Sequence, residues 1–412
     1  MLDLKFIREK PDLVRESLKK RQDSAPLDEI LELDTERRRK LIELEDMRRE
    51  RKEISRQKRA KVEEGRDLRV MIRSLEDEVR NIDKQLAELL LQVPNVPHPS
   101  VPVGKNDSDN VVVRTSGEPK SFDFAPKPHW QLGEKLDIID FKRGVKLSGS
   151  RFYVLKGLGS HLQRALINFM LDLHTSEHGY KEIYPPFMVK RECMVGSGNL
   201  PKFADNLYHD EIDDFWFVPT AEVPLTNLYR DEIITPGILP IYHVAYTACF
   251  RREKMSAGKD TRGIKRGHQF DKVELYKFTD AESSNDELEK MVGNAEAVCQ
   301  RLEIPHRVKQ LCTADLGFAS QKSYDIEMWA PGCEEWLEVS SCSDCGDFQA
   351  RRANIRHRPT PESKPEFVHT LNGSGLALPR VLIAVLENYQ QPDGSIIIPK
   401  VLHKYVGVGV IK

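Results

Sequence analysis

The stretch CFRREKMSAGKDTRGIKRGHQFDKVELYKF, residues 249–278, decides how this chain is read. It opens with Phe250, Arg251, Arg252 and Glu253 and crosses a Gly- and Lys-rich segment with no apolar periodicity. It closes with Gln269-Phe270 and the alternating Val273, Leu275, Tyr276 and Phe278. Two apolar runs around an exposed basic segment predict a strand, a long tip and a returning strand. An arginine at a strand end beside a carboxylate is a rigid fork for a phosphate or another carboxylate. On charge alone, the same segment also reads as an ordinary solvated hairpin.

Working outward, short turn-bounded apolar stretches at 214–219, 241–249, 269–278, 325–329 and 335–341 predict a largely antiparallel sheet. Helical spacing appears at 281–304 (Leu288, Met291, Val292, Ala295, Val298, Leu302) and from 376 to about 387. Helices among antiparallel strands give an α+β class. There is no parallel βαβ repeat and no GxxxxGK[ST] loop, so a bound nucleotide would use another kind of site. Upstream, residues 149–178 read as a strand, a Gly turn and an amphipathic helix, with the helix ended by His178-Gly179.

The first hundred residues differ in kind. Residues 1–24 suggest a short amphipathic helix broken near Pro11. Residues 27–91 hold no proline and one glycine, Gly65. Leu68, Ile72, Leu75, Val79, Ile82, Leu86 and Leu89 step by four and three, a heptad seam. Leu41, Leu44, Met47, Ile54 and Val62 supply a sparser partner seam. The expectation is an antiparallel coiled coil with its tip near 65 and helices about 45 Å long at 1.5 Å per residue. Residues 47–61 carry eight basic side chains (Arg48, Arg49, Arg51, Lys52, Arg56, Lys58, Arg59, Lys61) against two acidic ones. Such a run suits a phosphate backbone, although most charge runs are solvated faces and most coiled coils are spacers or dimerisation devices. The prolines of 93–102 forbid helix and central strand, which puts a domain boundary near 105.

With 412 residues, 39% hydrophobic and 31% charged, the chain can build two or three domains. A net charge of −2 leaves nucleic-acid affinity to local patches. No apolar run is long enough to span a bilayer, so no membrane partner is expected. The first residues, MLDLKFIREKPDLV, lack a secretory apolar core. Seven cysteines, an odd number, suggest reduced thiols and a cytoplasmic setting.

FRxE followed by HQFxKVE resembles motif 2 of class II aminoacyl-tRNA synthetases, in the form seen in seryl-tRNA synthetases. TAEVPLTN at 220–227, EVSSCSD at 338–344, DFQARRANIR at 347–356 and NGSGLALPR at 372–380 also resemble that family, in its order. The chain is thus identified by resemblance as a member of it over nearly its whole length. The resemblance implies a tRNA-binding helical arm at 1–105 and a class II aminoacylation domain at 106–412. It implies activation of L-serine with ATP to seryl-adenylate and pyrophosphate, then transfer to the 3′ end of tRNA(Ser), and of tRNA(Sec) where present. The arm would grip the long variable arm of tRNA(Ser) through phosphate and shape. Tyr184-Pro185-Pro186-Phe187 resembles motif 1, which implies a homodimer; a plain helix–strand core unit is the other reading of that segment.

Site residues follow from the same matches. Arg251 would contact the α-phosphate and the serine carboxylate, and Arg380 the γ-phosphate of a bent ATP. Phe270 would stack under adenine, Glu253 would take its amino group, and Arg252, Val339 and Ser340 complete the ATP set. Glu338 and Ser341 would hold Mg2+ with ATP, although strand periodicity puts residues three apart on opposite faces unless the strand bulges. Thr220, Ala221 and Glu222 would receive the serine ammonium. Glu274, assisted by Ser374, would bind the hydroxyl and reject alanine by being left unpaired. Read without the family, Glu274 is an outward strand residue and Ser374 part of a Gly-Ser-Gly turn. Cys342-Ser343-Asp344-Cys345 is a lone CxxC with Cys333 upstream, read as thiols; zinc is not expected. His268 is read as structural. Two alternatives stand beside this reading: a class II paralogue that activates an amino acid for a non-tRNA acceptor, and an inactive coiled-coil nucleic-acid-binding scaffold.

Overall fold

The computed structural model describes residues 1–56, 62–254 and 262–412. The chain divides into two compact units, Met1–Pro94 and Asn95–Lys412.

In the first unit, the helices Leu4–Glu9 and Pro11–Arg21 precede two long ones, α1 (Leu27–Arg56) and α2 (Val62–Leu90). Asp3 caps the first by accepting from the Lys5 and Phe6 amides, and Pro11 opens the second, where a missing N–H costs nothing. The seam is as expected up to Leu86; Leu90 rather than Leu89 is buried at the last step. Leu44, Leu68, Ile72 and Leu75 form one cluster, with Met47 and Ile54 against it. Each such buried side chain contributes about 1.5–3 kcal/mol. Ion pairs run Arg37–Asp83, Lys40–Glu78 and Arg48–Glu76, so numbers rise on α1 as they fall on α2 and the helices are antiparallel. Gly65 lies inside α2 and does not mark the tip. A glycine there costs only about 1 kcal/mol, which packing overrides. Lys58, Arg59 and Lys61 lie outside the described residues, as does most of the 255–265 loop.

The second unit is built on an eight-stranded sheet. Its elements are β1 (Val111–Ser116), α3 (Gly157–Ser176), β2 (Lys181–Glu182), β3 (Ile241–Phe250), β4 (Gln269–Thr279), α4 (Ser284–Arg301), β5 (His306–Gln310), β6 (Lys322–Ala330), β7 (Glu335–Asp344), β8 (His369–Ala377) and α5 (Leu378–Asn388). The strand order is β1-β5-β6-β7-β8-β4-β3-β2. Every pairing is antiparallel except β2 with β3. Val273 and Leu275 face a core shared with α3, α4 and α5, while Tyr276 and Phe278 face a second cluster with Ala221 and Leu225. With both faces covered, β4 is apolar on both sides, and Glu274 lies on the Tyr276 face.

Two expectations change. The division falls ahead of residue 105: Asn95 Nδ2 donates to the carbonyls of Ala319 and Cys345 at 2.8 Å, and Val101 packs with Leu311 and Leu316. The proline-rich segment therefore belongs to the second unit. Asn372-Gly373-Ser374-Gly375 is part of strand β8, not a turn. A Cβ on Gly373 would sit 2.8 Å from Cys342 Sγ and Met291 Sδ, so this glycine serves close packing in the core.

Candidate active site

Strands β3, β4, β7 and β8 carry the site, and two bulges aim it. Phe250 pairs with Gln269, so Arg251 leaves β3 where Phe270 enters β4. The Arg251 guanidinium lies over the Phe270 ring at 5.2 Å, and its Nε donates to the Pro219 carbonyl at 3.2 Å. The Arg251 N–H donates to the His268 carbonyl and His268 Nδ1 donates back to the Arg251 carbonyl, both at 2.9 Å. His268 thus fixes the arginine's backbone at both peptide groups. Glu253 holds a positive φ of 51° and pairs with Arg266 at 3.6 Å.

The first bulge lies on β8. Val273 pairs with Leu376 but Glu274 pairs with Ser374, leaving Gly375 as the extra residue. Glu274 therefore faces Ser374 directly. Glu274 is buried; Thr220 Oγ1 donates to its Oε2 at 3.1 Å, and Lys272 pairs with the same oxygen. The second bulge lies on β7. Glu338 pairs with Glu327 and Ser340 with Ile326, so Val339 is the extra residue. That insertion restores Glu338 and Ser341 to one face. Asp325, opposite Ser341 on β6, joins them. Its Oδ1 is buried without a hydrogen-bond partner, and burial together with Glu338 pushes its carboxyl well up. An orphaned carboxylate oxygen in an all-oxygen corner fits a hard divalent cation such as Mg2+.

These groups converge on one cavity of about 290 Å³. Thr220, Glu222, Arg251, Glu253 and Phe270 line it, as do Glu274, Glu338, Val339, Ser341, Ser374 and Arg380. Arg380, in the first turn of α5, donates from Nη1 to the Glu338 carbonyl at 2.6 Å and lies 3.3 Å from its carboxylate. Glu222 Oε1 accepts from Gln349 Nε2 at 2.6 Å and Asn372 Nδ2 at 3.2 Å. Burial first, and then the neighbouring Glu274, push the Glu222 carboxyl up to about 7.

Three expected residues do not line the cavity. Ala221 is wholly buried in the core. Arg252 points the other way from its neighbour, bonded to the Leu207 carbonyl at 2.8 Å and stacked on Tyr208 at 4.5 Å. Ser340 lies behind the wall, donating to the Ser374 carbonyl at 2.6 Å. Lys265, Arg266, Gly267, Lys272 and Asn372 line the cavity without having been singled out from the sequence. Lys272 was the most accessible of them, since it shares a strand face with Glu274.

Cys342 and Cys345 are buried free thiols, with Cys342 pushed up to about 12 by burial. The one close His/Cys/acid group among the described residues is elsewhere: His129, Cys333 and Glu387. Glu387 Oε1 accepts from His129 Nδ1 at 2.9 Å and from the Cys333 thiol at 3.1 Å, while His129 Nε2 accepts from the Ile264 N–H at 3.2 Å. Its donors and acceptors satisfy one another and hold the backbone of Ile264, next to Lys265. On the arm, Arg48 is paired with Glu76 at 2.7 Å and Arg49 with Asp46 at 2.8 Å; Arg51 and Lys52 are exposed.

Residues 203–389 match the tRNA synthetase class II core domain (G, H, P, S and T), and residues 1–97 match the seryl-tRNA synthetase N-terminal domain. The chain is similar to the serine-tRNA ligase of Dehalococcoides mccartyi, with 66% identity across 100% of both chains. Its identity to that of Thermomicrobium roseum is 59%, over 99% of this chain and 94% of the relative. Among solved structures, the seryl-tRNA synthetase of Pyrococcus horikoshii complexed with ATP superposes with a TM-score of 0.94 at 42% identity, covering 100% of this chain and 99% of that one. The cytoplasmic serine-tRNA ligase of Naegleria fowleri gives 0.91 at 32%, with the same coverage. A class II synthetase core on this sheet is thus joined to an N-terminal domain of one synthetase type. The chain belongs to the seryl-tRNA synthetases, and serine-tRNA ligation is its activity. Neither alternative, the non-tRNA paralogue nor the inactive scaffold, finds support among these relatives.

Proposed function

We propose that the cavity binds ATP and L-serine side by side and that the helical arm within Met1–Pro94 delivers tRNA(Ser) to it. The observation that carries this reading is the convergence of Arg251, Glu274, Glu338 and Arg380, drawn from four separate segments, on one cavity. A serine carboxylate oxygen attacks the α-phosphorus, the bond to the bridging oxygen breaks, and pyrophosphate leaves with the electron pair. Charge accumulates on phosphate oxygens, where the Arg251 fork meets both carboxylate and α-phosphate. Arg380 exchanges its contact with Glu338 for the γ-phosphate. Phe270 supports the adenine and Glu253 takes its amino group. The terminal ribose hydroxyl of tRNA then attacks the carbonyl carbon, and AMP leaves. Mg2+, held by Glu338 and Ser341, would neutralise phosphate charge. That the Pyrococcus horikoshii relative is complexed with ATP supports ATP as the nucleotide. A homodimer in the cytoplasm is the setting proposed; Tyr184, which opens the motif 1 segment, and Met188, just after it, are 79% and 51% exposed.

The test is a charging assay of serine, threonine, alanine and cysteine against total tRNA. Serine alone should be esterified; no serine-dependent charging would sink the reading. Glu274→Gln should lower kcat/KM for serine by about 10–100-fold, the worth of one charge-assisted hydrogen bond, while that for alanine stays level. An equal fall for both amino acids would remove Glu274 from hydroxyl selection.

Acidity gives a further check. A carboxyl at about 7 in the free enzyme is ionised above that pH and protonated below it. Only the ionised form pairs with an ammonium. The kcat/KM for serine should therefore be flat above pH 7 and fall about tenfold per unit below it, with KM for ATP level across the window. Glu222→Gln should remove the acid limb; a retained limb assigns it to another group.

A further inference from the structure

Gln349 lies in the first turn of the helix Phe348–Ala353, wholly buried and outside the cavity lining. Its Nε2 donates to the Ser197 carbonyl at 2.9 Å and to Glu222 Oε1 at 2.6 Å. Its Oε1 accepts from the Tyr276 hydroxyl at 3.0 Å and the Thr370 hydroxyl at 2.7 Å. All four bonds a carboxamide can make are made. The reverse orientation would set its oxygen against a backbone carbonyl and a carboxylate, which offer no proton, so the amide is held one way round. Asn372 Nδ2 adds a second N–H on Glu222 Oε1. Both bonds end on one oxygen, leaving Oε2 for a cation.

We propose that Gln349 is a positioning residue for the ammonium subsite: it fixes the rotamer of Glu222 and keeps its carboxylate charged to meet the substrate. The inference rests on the reading of Glu222 as the ammonium partner. Several charged and titratable groups act on Glu222. Glu274 raises its affinity for a proton and Lys272 and Arg251 lower it, while Tyr276 and Cys345 lie close by. The Gln349 bond works in the same direction as Lys272. Without it, burial and Glu274 act on Glu222 unopposed by that donor, and the ammonium meets a neutral acid at neutral pH.

The test uses the full chain with Gln349→Met, which keeps volume without hydrogen bonds, and Gln349→Glu. The latter keeps acceptors for Tyr276 and Thr370 and so protects folding. Both should raise KM for serine in ATP–pyrophosphate exchange by about 10–100-fold at pH 7, with KM for ATP within twofold. The deficit should narrow as pH rises to 8.5, because deprotonation restores what the amide supplied. In a Glu222→Gln background, Gln349→Met should cost less than threefold more. A deficit equal at all pH values, or shared equally by serine and ATP, would overturn the proposal. So would full additivity with Glu222→Gln, or a serine KM unchanged in a folded variant. Wild-type enzyme without serine-dependent exchange would instead overturn the reading of the site.

Discussion

Arg251→Ala should cut serine-dependent ATP–pyrophosphate exchange by about 10²–10³-fold, the usual cost of removing one preorganised donor to a developing anion. The reason is position. Arg251 is clamped at its N–H and its carbonyl by His268 and rests on Phe270 and the Pro219 carbonyl. Little reorganisation is left to do when charge builds on the α-phosphate. In the proposed reading both reactants meet this fork, so kcat and kcat/KM should fall together. Arg251→Lys keeps the charge but not the fork and should recover only part of the loss. Arg380 contrasts with it. Its guanidinium is already paired with Glu338 and must exchange partners when ATP enters. Arg380→Ala should therefore raise KM for ATP and leave serine binding, read by equilibrium dialysis, unchanged. An exchange rate unaltered by Arg251→Ala would remove it from the reacting centre.

How far a sequence discloses such a site depends on parity. Arg251 and Arg380 were legible because each stands at an element's end, where direction does not depend on counting residues, whereas Thr220 and Phe270 came from the family resemblance. Glu338 and Ser341 were not reconcilable by counting, since a three-residue step along a regular strand reverses the face. The bulge at Val339 repairs the count, and nothing in EVSS announces it. Ser374 shows the same blindness: two glycines suggested a turn, yet Gly375 is the bulge that sets Ser374 against Glu274. Arg252 and Ser340 fail for the converse reason, being adjacent to true lining residues and so pointing away. Gln349 and Asp325 lie behind the wall: strand register sets Asp325 opposite Ser341, while Gln349 reaches Glu222 from the helix Phe348–Ala353. The coiled coil was the easier part. Its seam needs only helix periodicity; the last step slipped by one residue, from Leu89 to Leu90, and the tip at Gly65 came from reading a tolerated glycine as a breaker.

Removing residues 28–91 should abolish charging of tRNA while serine-dependent pyrophosphate exchange stays within about threefold of the intact chain. Every residue lining the cavity lies in the second unit, which has its own buried core. Adenylate formation then has no physical need of the arm. Charging does, because the exposed cations Arg48, Arg49, Arg51 and Lys52 are the groups suited to tRNA phosphates, and each phosphate neutralised contributes about 0.7–0.9 to the slope of log affinity against log salt. Replacing Arg48, Arg49, Arg51 and Lys52 by alanine should lower that slope by about three to four and weaken all tRNA(Ser) isoacceptors alike. The Arg48–Glu76 and Arg49–Asp46 pairs do not oppose this, since exposed pairs of that kind are worth about 0–1 kcal/mol and open readily. If the shortened chain instead lost exchange and charging in equal measure, the arm would be shaping the cavity rather than presenting a substrate to it. If it kept both, the phosphates must find their cations on the second unit.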